Sequence, residues 1–119
     1  MRRFHPGLFL VLAWAAPAAA GDGEAMSPEV TRGHEIASTI CWVCHVTGPD
    51  QTRTPALHEP GPDFRAIANR PDLTRDRLIA FLQTPHGSDG SASAMPNPRL
   101  TDEMIGAATD YILSLRAAR

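Results

Sequence analysis

Cys41-Trp42-Val43-Cys44-His45 contains the only two cysteines of the 119-residue chain, and its spacing governs how the rest is read. Two thiols three positions apart, followed at once by an imidazole, form the C-x-x-C-H pattern of covalent haem attachment. At the end of a helix, each thiol reaches one vinyl group of a single haem c and forms a thioether. Adjacent His45 is then held under the iron as the proximal ligand. The competing chemistries fit less well. A disulfide across two intervening residues closes too small a loop to stabilise much. A thioredoxin-like redox pair needs alternating strands and helices, and no strand pattern is present. A zinc site needs two further ligands at sensible spacing, and only scattered histidines remain.

Upstream, Arg2 and Arg3 precede an apolar stretch, Gly7 to Trp14, which leads to Ala18-Ala19-Ala20. This is the layout of a secretory signal peptide with a small-residue cleavage site. The stretch is shorter than the roughly 20 residues that span a bilayer, so an uncleaved anchor is the lesser alternative. The sequence after Arg2-Arg3 lacks the rest of a twin-arginine signal. The expected division is a signal peptide over 1–20, a flexible lead-in over 21–27 and one domain over 28–119. Loss of residues 1–20 and of two of the 11 Arg leaves nine positive side chains against 13 acids, a net charge of −4. With no Lys and an acidic balance, nucleic acid is excluded as a partner.

Helix signals follow one another down the chain. Ser27-Pro28-Glu29 supplies an N-cap, a proline at the first helical position and an acid in the first turn. That helix should run to about Thr39, with Val30, Gly33, Ile36 and Ala37 on one stripe. Gly-Pro, Pro55 and Pro60-Gly61-Pro62 make 46–62 a loop. Asp63 to Asn69 allows a short helix stopped by Pro71. Thr74 caps a helix over Arg75 to Gln83, with Leu78, Ile79, Phe81 and Leu82 facing inward and Pro85 ending it. Residues 86–99 form a second loop. Thr101 caps the last helix, with Asp102 and Glu103 in its first turn and Arg116 expected in its last, as the macrodipole favours. Met104, Ala108, Tyr111, Ile112 and Leu115 form its inward stripe. The fold class is therefore all-α, with long loops around one cofactor.

A sixth iron ligand has to come from elsewhere. Met95 lies in the polar stretch Ser91 to Pro98 with no helical packing periodicity, directly before Pro96. Proline restricts the preceding residue to extended conformations, which would hold this thioether toward a buried metal; its soft sulfur suits haem iron and raises the potential. Met104 sits on a helix stripe, where packing accounts for it. His86 is the rival ligand, and an open sixth position that binds gases is the third possibility. His34 and His58 read as surface residues.

On these residues the chain resembles the class I cytochromes c, the small bacterial members in particular, over nearly the whole domain. Gly33, eight positions before Cys41, stands where that family crosses its terminal helices. Tyr111-Ile112-Leu113-Ser114-Leu115 is similar to the end of the partner helix. Gly61-Pro62-Asp63-Phe64 looks like the family's Gly-Pro-x-Leu turn, whose proline carbonyl accepts a hydrogen bond from the proximal histidine. Met95-Pro96-Asn97 resembles the ligand loop, with Asn97 near the sulfur. The resemblance implies His45 and Met95 as iron ligands, and a monomeric periplasmic electron carrier that meets redox protein partners. A dedicated haem subunit of a periplasmic dehydrogenase or oxidase is the alternative. Two features depart from the family. The 45–62 loop is longer than in compact members, leaving Pro49 and Pro55 as competitors of Pro62, and the lysine ring used for docking is missing.

Overall fold

The computed structural model describes Met1 and residues 25–84 and 95–117. Residues 2–24, where most of the signal peptide and the start of the lead-in were expected, lie outside them, as do Pro85 and His86. The chain is all-α: α1 (Pro28–Thr39), a 3-10 turn (Cys41–Val43), α2 (Phe64–Ala68), α3 (Arg75–Gln83) and α4 (Asp102–Ser114), with no strand among the described residues. None of these helices is long and apolar enough to cross a membrane.

Each helix begins where a hydroxyl or carboxylate can satisfy a free backbone N–H. Ser27 accepts from Val30 N at 3.3 Å, Asp63 from Arg65 N at 2.7 Å, Thr74 from Arg77 N at 3.2 Å and Thr101 from Met104 N at 3.3 Å. α1 and α4 cross at Gly33. A Cβ there would run into the carbonyl oxygen of Ala107 and lie 2.6 Å from Tyr111 Cβ. The crossing is lined by small residues, Ala37, Ala107 and Ala108, all buried. α2 and α3 then cover the other flank of α4, burying Phe64, Ala68, Leu78, Leu82, Ile105 and Ile112 in one cluster.

Two expectations from the sequence are corrected. Phe81 does not face inward but stays 51% exposed. Leu78 and Leu82, four apart, define the buried stripe of α3; Ile79 packs on one of its flanks and Phe81 lies on the other. Arg116 is not in the last turn of α4, which ends at Ser114. Its guanidinium instead donates to the carbonyls of Ala68, at 2.8 Å, and Leu73. Ala68 ends α2, so its carbonyl lacks a helical partner, and Arg116 supplies one. The α3–α4 contact carries a two-pronged ion pair, Arg75 to Asp110 at 2.8 and 3.2 Å. Within α4, Thr109 is fully buried and its Oγ1 has no hydrogen-bond partner among the described residues.

Replacing a helical glycine by alanine ordinarily gains about 1 kcal/mol of propensity. At Gly33 the clash is with a backbone oxygen, which cannot swing aside, and overpacking costs about 1–3 kcal/mol or more. Gly33→Ala is expected to lower stability by about 2 kcal/mol net in denaturant unfolding. A stabilised variant would show that the α1–α4 crossing is looser than its contacts indicate.

Candidate functional site

His45 is 6% exposed and lies just beyond the 3-10 turn that follows α1. The turn is compact because the Cys44 and His45 amides both donate to Cys41 O, at 3.1 and 3.0 Å. The imidazole Nδ1 is 2.7 Å from the carbonyl oxygen of Pro62. A carbonyl can only accept, so Nδ1 is the donor in this contact and Nε2 is the ring nitrogen left to meet a metal. Pro62, not Pro49 or Pro55, makes this contact. Gly61 packs flat on the same ring, and a Cβ there would come within 2.5 Å of Cε1 and 2.8 Å of Nδ1. Phe64 meets the ring at a centroid distance of 5.3 Å.

Five successive carbonyls around His45 are each held by a different donor. Val43 O accepts from Ala56 N at 2.9 Å, Cys44 O from Gly61 N at 2.7 Å and Val46 O from Phe64 N at 3.0 Å. His45 O accepts from Gln51 Nε2 at 3.4 Å, and Thr47 O from the Tyr111 hydroxyl at 3.0 Å. The last bond joins α4 to this segment across the core. Burial raises the Tyr111 pKa above that of a free phenol, with Asp50 adding to the shift, so the hydroxyl remains a donor. His34, expected at the surface, is half-buried: its Nε2 lies 2.8 Å from Asp50 Oδ2 and its ring sits edge-on to Tyr111 at 5.1 Å.

Cys41 and Cys44 are both free thiols and half-buried. Burial first, then the neighbouring Cys44, pushes the Cys41 thiol up to about 11. A dithiol redox centre needs the opposite shift, toward a reactive thiolate. Among the described residues no three His, Cys, Asp or Glu side chains are placed to hold one small ion. What the segment does offer is two uncrosslinked thiols beside an oriented imidazole, at the border of an apolar cluster. Cys41, Ile67, Leu73, Met95 and Leu100 all pack against that cluster. Soft and apolar groups with one aromatic nitrogen donor suit a large, flat, hydrophobic macrocycle such as haem better than a hydrated ion.

Met95 is half-buried on this border, while Pro96 and Asn97 are exposed. The Asn97 Oδ1 accepts from Arg99 N at 2.8 Å, and Arg99 adopts φ 53°, a left-handed turn. Met104 packs away from Met95, against Ile36, Ala107 and Ala108 at the helix crossing. His58 is exposed. Sequence reading missed Gln51, Thr47 and the Tyr111 hydroxyl as parts of the site. No local pattern marks them, since their partners are brought together only by the folded loop.

The family model described as Cytochrome c matches residues 30–116. The chain is also similar to cytochrome c-552 of Bradyrhizobium diazoefficiens, with 32% identity over 110 residues, covering 92% of this chain and 93% of that protein. No solved structure matches it.

Tyr111→Phe removes one hydroxyl and leaves the Thr47 carbonyl without its donor. An orphaned buried acceptor costs about 1–3 kcal/mol, so thermal and denaturant unfolding should show a loss in that range. An unchanged midpoint would mean that the α4-to-loop bond contributes nothing net.

Proposed function

This chain belongs to the cytochrome c family as a class I c-type cytochrome, and we propose that it is a periplasmic monohaem electron carrier. The observation that supports this reading best is the 2.7 Å contact of His45 Nδ1 with Pro62 O, directly after the two free thiols. It leaves Nε2 as the ring nitrogen with a lone pair to offer a metal, adjacent to the two groups that would anchor a haem.

Cys41, Cys44, His45 and Met95 would hold one haem c, which would supply a one-electron ferrous/ferric couple. The chain's own residues do the rest. Pro62 fixes the tautomer and plane of His45 and raises the basicity of Nε2, as carbonyl partners of ligating histidines do. Phe64, Ala68, Leu78, Leu82, Ile105 and Ile112 exclude water. Ligands held rigidly in this apolar core would change little between oxidation states, so the protein would need little rearrangement for electron transfer. Ile40, Val43, Val46 and Leu57 remain partly exposed around the attachment segment and offer an apolar contact for redox protein partners. Export through the 1–20 segment would bring the chain to the compartment where such haem is attached.

Produced together with a haem-maturation system, the chain should gain the mass of one haem that survives denaturation. A mass equal to the bare polypeptide would refute the reading.

A second measurement tests the ligands. Ferric protein should show the weak red absorption that accompanies iron–Met bonding in cytochromes c. Met95→Ala should abolish that band, admit carbon monoxide to the ferrous form and lower the potential. Met104→Ala should keep the band and cost about 2 kcal/mol of stability, at the low end for a methionine that is only half-buried. If Met104→Ala removes the band and Met95→Ala does not, the ligand assignment is wrong.

A further inference from the structure

The first part of the 46–62 loop is pinned by one side chain, Gln51, that faces four backbone or side-chain atoms at once. Gln51 Oε1 accepts from Thr47 N at 2.7 Å and from Thr47 Oγ1 at 2.8 Å. Its Nε2 donates to Arg53 O at 2.7 Å and to His45 O at 3.4 Å. Thr47 is 3% exposed, so its amide and hydroxyl have no water to turn to. Only a primary amide can meet these demands, because it accepts on one atom and donates on the other. A carboxylate would keep the bonds to Thr47 but face two carbonyl oxygens with no proton. A leucine would make none of the four bonds.

The place of this clamp gives it more than a loop-closing role. Cys44 O and Val46 O, on either side of His45, are bound by Gly61 N and Phe64 N, from the turn that also holds Pro62. Those bonds fix His45 on its ring side. Among the described residues, His45 O is bound by Gln51 alone, at 3.4 Å. We propose that Gln51 is a positioning residue for His45: it sets the peptide plane that follows the histidine, and through it the orientation of the imidazole under the iron. This inference rests on the proposed ligation by His45. The nearby His34–Asp50 pair ties the same loop to α1 but touches neither His45 nor Thr47 through a hydrogen bond, so it serves as the internal control.

The test uses haem-loaded protein and the hyperfine-shifted NMR spectrum of its ferric form. That spectrum reports the orientation of the iron's two ligands and is insensitive to a loss of stability alone; Gln51 has its partners on the histidine side. Gln51→Leu and Gln51→Glu should both redistribute the shifted haem methyl resonances, and Asp50→Asn should leave their order and spread as in the parent. Gln51→Glu keeps the Thr47 bonds and loses both Nε2 donations, to Arg53 O and to His45 O, so its change separates the donor half of the amide from the acceptor half. Where Gln51→Leu fails to load haem, Gln51→Glu decides alone. A parental pattern in Gln51→Glu overturns the proposal, even if Gln51→Leu is altered or either variant unfolds at a lower temperature. An equal change in Asp50→Asn also overturns it, because any loosening of the loop would then suffice. A parent chain that takes up no haem would refute the carrier reading instead, so the two failures are distinguishable.

Discussion

The hydrogen bond from His45 Nδ1 to Pro62 O is the contact around which the rest of the site is arranged. It joins residues 17 apart, across a loop with no regular structure, and such a loop has a considerable closure cost. The cost is offset by adjacent bonds of the same register. Gly61 N to Cys44 O and Phe64 N to Val46 O form two rungs on either side of the imidazole bond. A shift of the 61–64 turn by one residue would break all three together. The turn also demands its glycine, because the ring of His45 occupies the space a Cβ would take. Sequence, register and ring orientation are thus one constraint here.

The helix crossing plays the corresponding role for the scaffold. Gly33 lets α1 approach the backbone of α4, and Tyr111 then lies both at the crossing and over the loop. Its hydroxyl bonds Thr47 O, and its ring meets His34. One residue therefore transmits the position of the α1–α4 pair to the segment that carries His45. Arg116 does similar work at the other end of α4, by bonding the last carbonyl of α2 and the carbonyl of Leu73. Buried bonds of this sort contribute about 1 kcal/mol each, so their main effect is to select one arrangement of helices rather than to add much stability.

The helices were legible in the sequence because their signals are local. Ser27, Thr74 and Thr101 each cap a helix from the position their chemistry favours, whereas Gly33 was placed at the crossing through resemblance and Asp63 proved to be a cap only in the structure. The Gly61-Pro62 turn was readable only through resemblance, since a 17-residue separation carries no spacing rule. The Gln51 clamp was not readable at all: a glutamine in a polar loop looks like any solvated side chain until Thr47 is seen to be buried against it. Phe81 was misjudged because composition alone cannot say which flank of an apolar stripe meets a neighbour. Arg116 was misjudged because the macrodipole rule considers only its own helix, while the stronger demand came from the unpaired carbonyl of another.

The two proposed axial sides are built to different standards. On the histidine side, five consecutive carbonyls, the ring nitrogen and a flat glycine contact hold a single conformation. On the methionine side, order comes from backbone restriction: Pro96 limits Met95, and Asn97 closes a turn onto Arg99, whose left-handed φ of 53° carries strain that a non-glycine residue seldom accepts. Half-buried Met95 and Leu100 tie this loop to the core cluster by packing, whereas the histidine side adds the hydrogen bonds above. Heat or denaturant would therefore release the sulfur side well before the imidazole side. The haem attachment itself would sit with the firmer half, since both thiols belong to the same hydrogen-bonded segment as His45. An electron carrier gains from that division. Under the proposed ligation, the covalent and imidazole half would keep the cofactor in place, and the thioether half would influence the potential.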